Sequence, residues 1–215
     1  MTRTTDNNLE KLKYEKTDEV TIKSECDNAY IHSARGFAKI YSKGYRTQIY
    51  SGGSNTRIIS DGNIAIINSE GFSNEIYSIG SLARICSIGN NAIIRANEHS
   101  QIYSTGDYTQ IYTSGIGVAV HSMGYHSIIN CQGFGTIVRA KKGSWITLTE
   151  WKLIYGELKP YCVKTEYVDG KRIKEDTFYT IRNGKFVETS LFPSNAKKGI
   201  LNTMSSYIKN VFKSK

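Results

Sequence analysis

A tandem repeat with a step of nine residues runs from Ile22 to Leu148 and constrains the fold more than any other feature of the chain. Typical units read KIYSKGYRT, QIYSGGSNT and EIYSIGSLA. The second position is Ile or Val, the fourth is nearly always small, the sixth is often Gly, and the ninth is usually Ala, Thr, Ser or Asn. Because one such unit cannot bury its own Ile, neighbouring units must stack.

The spacing of the small and aliphatic positions predicts short β-strands. Positions nine, two and four share one face of a strand, and positions one and three share the other. The sixth-position Gly is expected to supply a positive φ at a tight corner. Two units then complete one coil, with odd units in one sheet and even units in the other. The units from Ile22 to Leu148 predict about seven coils and a rod roughly 34 Å long.

The predicted fold is all-β: a parallel β-solenoid (β-helix) of nonapeptide repeats with about two strands per coil, a small antiparallel β cap and a C-terminal α-helix. The predicted segments are an N-terminal cap (1–20), the solenoid (21–148), the antiparallel cap (149–189) and a basic amphipathic helix (190–215). Two units, which begin at Ile93 and Ile137, are one residue short. In the first, Glu98 is expected to replace the corner Gly and to cause a local irregularity.

Apolar and polar residues alternate in the predicted cap, which contains two turn signals, Asp169-Gly170 and Asn183-Gly184. They predict antiparallel hairpins. The expected strands lie near 147–155, 161–168, 171–174, 178–182 and 185–189.

The tail combines an apolar stripe at helical spacing with five lysines and no acidic residue after Thr189. Three roles are open for the predicted helix: packing on the cap, pairing with a second copy in a homo-oligomer, or binding a partner or an anionic surface.

The outward strand positions carry the candidate binding residues. Tyr interleaved with basic side chains is typical of recognition surfaces, although Tyr is also a common exposed residue of strands. The candidates on the repeat are Tyr41, Tyr50, Tyr77, Tyr103, Tyr112, Arg57, Arg84, Arg95 and Arg139, and those on the tail are Lys197, Lys198, Lys209 and Lys213.

Several classes of function are not indicated by any motif. The four histidines show no metal-ligand spacing, and no carboxylate pair, phosphate-binding loop or nucleophile elbow is present. We therefore expect no enzymatic activity, no cofactor and no metal. The four cysteines lie far apart and read as free thiols of a reducing cytoplasm. No apolar run approaches the length of a membrane span.

The junction after the repeat carries a family resemblance. A Gly-rich repeat followed by GSWITLTEW and then VDGKRIKEDTFYTIRNGKFVE resembles a family of bacterial, prophage and phage proteins with Gly/Ser-rich β-solenoid repeats and a C-terminal β module. The repeats of that family run like SGDSARIASSG, and a Trp-hydrophobic-Thr-Leu strand opens its C-terminal module. The resemblance covers about residues 29–189 and implies a phage or mobile-element origin.

Two functions are consistent with these features and with the net charge of +9. The first is a non-catalytic protein that docks onto a host protein or nucleoprotein complex and inhibits a defence nuclease, as an anti-CRISPR protein does. The second is a structural or nucleic-acid-binding module that uses the basic Tyr/Arg surface and the tail.

Overall fold

Two parallel β-sheets face each other in the computed structural model, which describes residues 2–4 and 20–190. The strands in chain order are β1 (Thr2–Thr4), β2 (Thr21–Ser24), β3 (Tyr30–Ser33), β4 (Lys39–Ser42), β5 (Gln48–Ser51), β6 (Arg57–Ser60), β7 (Ile66–Ser69), β8 (Glu75–Ser78), β9 (Arg84–Ser87), β10 (Ile93–Ala96), β11 (Gln101–Ser104), β12 (Gln110–Thr113), β13 (Ala119–Ser122), β14 (Ile128–Cys131), β15 (Ile137–Arg139), β16 (Trp145–Ile154), β17 (Glu157–Tyr167), β18 (Phe178–Arg182) and β19 (Lys185–Thr189).

Alternate repeat units build the two sheets, which confirms the predicted solenoid. Sheet A has the order β1-β2-β4-β6-β8-β10-β12-β14-β16-β17, and sheet B has the order β19-β18-β15-β13-β11-β9-β7-β5-β3. Equivalent positions of successive coils pair directly, as Ile40 does with Ile58 and Ile58 with Ile76. The chain therefore stacks Ile on Ile along each sheet.

The second-position side chains form the core between the sheets. Ile40, Ile58 and Ile76 of sheet A and Ile67 of sheet B are 0% exposed. Burying one such side chain contributes roughly 1.5–3 kcal/mol, so the row of Ile supplies most of the driving force for folding. The small fourth and ninth positions flank this row and let the sheets approach.

The corner glycines have a different role from the predicted one. Positive φ falls at the eighth position, for example at Asn28 (57°) and Asn55 (56°), and most sixth-position glycines have ordinary φ values. They are needed because each lies against the backbone of the coil before it. A Cβ on Gly53 would lie 1.7 Å from the Arg35 carbonyl oxygen, and a Cβ on Gly89 would lie 1.6 Å from the Gly71 carbonyl oxygen.

Hydrogen bonds tie each corner to its neighbours. The eighth-position N–H donates to a carbonyl of the next coil, as Asn28 N does to Tyr45 O at 2.7 Å. Within one corner, the Thr47 hydroxyl donates to Gly44 O at 2.7 Å and accepts from Ser42 Oγ at 2.9 Å. These contacts satisfy some of the polar groups that the coil stacking buries. Other fourth-position hydroxyls, such as those of Ser51 and Ser60, are buried without a hydrogen-bond partner among the described residues.

The short unit at Ile93 is accommodated without loss of register. Leu82 N donates to Glu98 O at 2.9 Å, as eighth-position N–H groups donate to seventh-position carbonyls elsewhere. Glu98 therefore occupies the seventh position, and the unit lacks the sixth. Because β10 pairs in register with β8 and β12, the expected irregularity is confined to the corner.

Two hairpins close the C-terminal end, one on each sheet. β16 is the last solenoid strand and pairs antiparallel with β17, while β18 pairs with β15 and β19. The turns Tyr155-Gly156 and Asn183-Gly184 have positive φ at both residues, as two-residue hairpins require. The turn at Tyr155-Gly156 was not predicted from the sequence.

The predicted strand at 171–174 and the predicted hairpin at Asp169-Gly170 are wrong. The Asp169 carboxylate accepts hydrogen bonds from the backbone N–H groups of Lys171, Arg172 and Ile173 at 2.7, 2.8 and 3.1 Å. This segment crosses from sheet A to sheet B, so its backbone is satisfied by a side chain instead of a partner strand.

The predicted terminal segments are described only in part. β1 pairs parallel with β2 and extends sheet A, whereas the remainder of the predicted N-terminal cap up to Glu19 lies outside the described residues. The predicted C-terminal helix lies outside them from Leu191 onward. Residues 2–4 and 20–190 contain no helix.

Two neighbouring glycines test the packing role of the sixth position. Gly53→Ala should lower the free energy of unfolding by about 3 kcal/mol or more, because the methyl group meets backbone that cannot move without separating the coils. Gly52→Ala is the matched control, since its Cβ would meet no atom closer than 3.7 Å. Urea unfolding of both variants measures the difference, and equal stabilities would contradict the stacking role.

A second adjacent pair tests the direction of the strands. Ile58 is 0% exposed and points into the core, whereas Ile59 is partly exposed on the outer face. Ile58→Asp should cost about 4 kcal/mol or more, because it removes a buried aliphatic side chain and buries a carboxyl group. Ile59→Asp should stay within about 1 kcal/mol of the parent. Thermal melts of the two variants check the order.

Candidate binding surface

Charge is distributed unevenly between the strands and the corners. The outward strand positions of β2–β15 carry six basic side chains, Lys23, Lys39, Arg57, Arg84, Arg95 and Arg139, and one acidic side chain, Glu75. The other carboxylates of the repeat lie at corners. The two sheet faces are therefore basic, and they favour anionic partners.

The predicted binding residues lie on two opposite faces. Sheet A presents Tyr41, Arg57, Tyr77, Arg95 and Tyr112, and sheet B presents Tyr50, Arg84, Tyr103 and Arg139. Lys197, Lys198, Lys209 and Lys213 lie outside the described residues. A rigid partner surface that contacts one sheet face cannot contact the other.

On sheet A, four of these side chains form one continuous column, here called the Arg–Tyr stack: Arg57, Tyr77, Arg95 and Tyr112. The Arg57 and Arg95 guanidinium carbons each lie 5.2 Å from the Tyr77 ring centroid, and Arg95 lies 5.5 Å from that of Tyr112. Because β6, β8, β10 and β12 are neighbours, Tyr77 lies between two guanidinium groups. Each cation–π contact contributes roughly 0.5–1 kcal/mol at an exposed site.

Hydrogen bonds along the stack distinguish its two arginines. Arg57 Nε lies 3.3 Å from Glu75 Oε2, and the Tyr77 hydroxyl donates to the same oxygen at 3.2 Å. The Tyr112 hydroxyl donates to Gln110 Oε1 at 2.9 Å. Among the described residues, no carboxylate lies within 4.0 Å of Arg95. The charge of Arg57 is thus partly neutralised, and that of Arg95 is not.

A groove of about 300 Å³ opens beside the stack. It borders the corners that follow β8, β10, β12 and β14. Its lining includes Ile79, Arg95, Asn97, Tyr112, Asn130 and Gln132. Asn97 Nδ2 donates to Ile79 O at 2.7 Å, and Trp151 Nε1 of the cap hairpin donates to Gln132 O at 2.7 Å. The repeat pattern could not predict the contact between Trp151 and the groove, because Trp151 lies outside the repeat.

Sheet B is organised differently, because the cap covers one of its basic residues. Arg139 Nη2 donates to His121 Nδ1 at 2.8 Å, and the guanidinium lies 4.7 Å from the Phe178 ring centroid. Burial, followed by the charge of Arg139, lowers the pKa of His121 to about 4. Arg139 is therefore engaged in an internal contact. No local sequence pattern predicts this contact, since Phe178 lies 39 residues further along the chain.

Two of the remaining sheet B candidates, Arg84 and Tyr103, line a second groove of about 350 Å³, whereas Tyr50 lies outside it. Its lining includes Arg84, Cys86 and Tyr103, and burial raises the pKa of the Cys86 thiol. Tyr50 stacks on His32 with ring centroids 4.9 Å apart. A hydrogen bond with Glu70 raises the pKa of Tyr50. The nearly parallel rings of Tyr50 and His32 cover each other, which reduces the ring surface left for a partner.

Two buried carboxylates in the cap have structural partners. Glu150 accepts backbone hydrogen bonds from Asn183 at 2.9 Å and Gly184 at 2.7 Å, and the bond from Gly184 is the main cause of its lowered pKa. Glu166 pairs with Arg172, which lowers the pKa of that carboxyl. Both are charged acceptors that join parts of the cap.

The described part of the chain contains no group of three or more His, Cys, Asp or Glu side chains arranged to hold a metal ion. Among its residues there is also no helix that is long and apolar enough to cross a membrane.

Comparison with known proteins found no matching family model, no similar curated protein and no similar solved structure.

The His121–Arg139 contact predicts a pH dependence of stability. Because folding lowers the pKa of His121 from 6.5 to about 4, the unfolded chain binds a proton in this interval that the folded chain does not. Stability should therefore fall as the pH drops through this window. His121→Asn keeps an acceptor for Arg139 and removes the titration, so its loss should be smaller.

Urea unfolding of both proteins between about pH 7.5 and about pH 4.5 measures this difference. The lowered pKa values of Glu150 and Glu166 act in both proteins alike, and their contribution is lost only at lower pH. Parallel pH profiles for the parent and His121→Asn would contradict the assignment.

Proposed function

We propose that this protein is a non-catalytic binding protein whose sheet A face docks onto an anionic surface of a host protein or nucleoprotein complex. The Arg–Tyr stack carries the proposal. It presents Arg95 without a carboxylate partner among the described residues, between two Tyr rings, on a rigid parallel sheet.

Preorganisation explains why such a stack suits binding. A free Arg side chain loses considerable rotamer entropy when it is fixed by a partner. The rings of Tyr77 and Tyr112 already restrict Arg95 before any partner arrives. Tyr and Arg are also enriched among the residues that contribute most to protein interfaces.

The distribution of charge supports an anionic partner. Lys23, Lys39, Arg57 and Arg95 all lie on sheet A, where Glu75 is the single acidic residue on the strands from β2 to β14. A basic face attracts acidic partners during encounter and disfavours basic ones.

The family resemblance of residues 29–189 supports a more specific setting. The resemblance implies a phage or mobile-element origin, so we place the protein in the cytoplasm of a bacterial host, where defence nucleases attack foreign nucleic acid. In this proposal the rod covers a functional surface of such a nuclease complex and blocks it, as an anti-CRISPR protein does.

Nucleic-acid binding is the second candidate, and the excess of basic side chains on the strands favours it. The stack itself favours it less. Bases usually stack on open aromatic faces, but guanidinium groups lie over the Tyr77 ring from the strand on either side. Nucleic acid would then be held through its phosphates, with a steep dependence on salt.

The proposal is tested by affinity capture from nuclease-treated lysate of the bacterial host. The bait is the full chain, and the variant is Arg57→Gln/Arg95→Gln on sheet A. The control is Arg46→Gln/Arg84→Gln, which removes the same charge from a corner and from sheet B. We expect a defined set of proteins to be retained by the parent and the control, and to fall at least about tenfold with the variant, as when charge-assisted contacts are lost.

Equal retention by all three baits would contradict docking through sheet A. Binding of fluorescent single-stranded DNA is measured in parallel at two salt concentrations. If nuclease treatment abolishes capture and DNA binds with steep salt dependence, the second candidate replaces the first.

A further inference from the structure

The groove beside the Arg–Tyr stack crosses four neighbouring strands of sheet A, β8, β10, β12 and β14. At one strand spacing per step this is about 14 Å, the length of a few extended peptide residues. The hydrogen bond from Trp151 to Gln132 O ties the cap hairpin to one end of its lining.

The polar groups of the groove define what a ligand must offer. The hydroxyls of Tyr77 and Tyr112 are already bonded to Glu75 and Gln110, so the guanidinium of Arg95 is the group that still needs an anionic acceptor. Asn130 Oδ1 is buried and has no hydrogen-bond partner among the described residues. With almost no exposed surface, this oxygen lies out of reach of a ligand in the groove.

The groove also has an apolar wall. Ile79 is 51% exposed and lines the groove. A ligand that places an apolar group on Ile79 removes this surface from water.

From these groups we propose that the groove is a subsite for an acidic side chain, Glu or Asp, of an extended segment of the protein partner. The carboxylate binds Arg95, and a neighbouring apolar side chain of the segment packs on Ile79. The inference rests on the proposed function and specifies the chemistry of its contact.

The number of cations favours a peptide carboxylate over a nucleic-acid backbone. Among the described residues that line the groove, Arg95 is the single basic one. Arg57 is paired with Glu75. The next basic side chains of sheet A, Lys39 on β4 and Lys152 on β16, each lie three strands from β10. A phosphate chain needs a row of cations, whereas one carboxylate needs one guanidinium.

Titrations followed by NMR test the subsite in the full chain. The probes are an acetylated and amidated peptide, Gly-Leu-Glu-Leu-Gly, the same peptide with Gln in place of Glu, and inorganic phosphate. The Glu peptide should shift the Arg95 Nε–H and Trp151 Nε1–H signals saturably. The Gln peptide should bind at least about tenfold more weakly, as expected for loss of a charge-assisted hydrogen bond.

Arg95→Gln should abolish the saturable shift, and Arg84→Gln on sheet B should leave it unchanged. The subsite is overturned if no probe causes a saturable shift or if the shift persists in Arg95→Gln. Phosphate binding as tightly as the Glu peptide overturns the peptide assignment.

The affinity capture and the NMR titrations can contradict the two proposals independently of each other. Loss of captured protein with Arg57→Gln/Arg95→Gln but no peptide binding leaves docking through sheet A in place and removes the acidic-segment subsite. Peptide binding at Arg95 without any effect on capture supports the subsite and removes the proposed docking face.

Discussion

Close stacking of one coil on the next is the constraint on which the rest of this structure depends. Parallel strands of successive coils lie about 4.8 Å apart, and the corners must keep the same spacing. At Gly53 and Gly89 there is no room even for a methyl group between one corner and the corner before it. The same closeness buries the fourth and ninth positions, which are therefore mostly small side chains. Some of their hydroxyls bond within their own corner, as Ser42 does to Thr47, whereas those of Ser51 and Ser60 have no hydrogen-bond partner among the described residues.

Stacking in register also determines how chemistry is arranged on the surface. Equivalent positions of alternate units become neighbours, so Arg57, Tyr77, Arg95 and Tyr112 meet although they are spread over 56 residues of sequence. Tyr77 lies between the two guanidinium groups, and Glu75 pairs with Arg57. These contacts limit the repulsion that a column of basic side chains would otherwise suffer, and they leave Arg95 as the charge offered to a partner.

The C-terminal hairpins cover the end of the core and contribute side chains to the outer faces of both sheets. Tyr179 and Ile181 cover the end of the Ile row. Trp151 binds a carbonyl at the sheet A groove, and Phe178 packs on Arg139 at the sheet B groove. The cap therefore makes the two faces chemically unequal, although the repeat that builds them is nearly uniform. This asymmetry directs our functional proposal to sheet A.

The sequence alone determined the solenoid, the two-strand coil, the inward Ile row and the assignment of each candidate Tyr and Arg to its sheet, because these follow from local periodicity and from stacking. It also located the hairpin at Asn183-Gly184, since two-residue turns have a local signature. The predictions for Gly53, Glu98 and the segment 171–174 were wrong, because the conformations of these residues depend on the neighbouring coil or on a change of sheet.

Only the tertiary structure decided that Arg139 is engaged by His121 and Phe178 and that Arg57 is partly neutralised. It also decided that Arg95 borders a groove with an unpartnered Asn130 oxygen. The physical reason is that a nine-residue period specifies which residues share a face, whereas charge pairing and burial depend on contacts between coils and with the non-repeating cap.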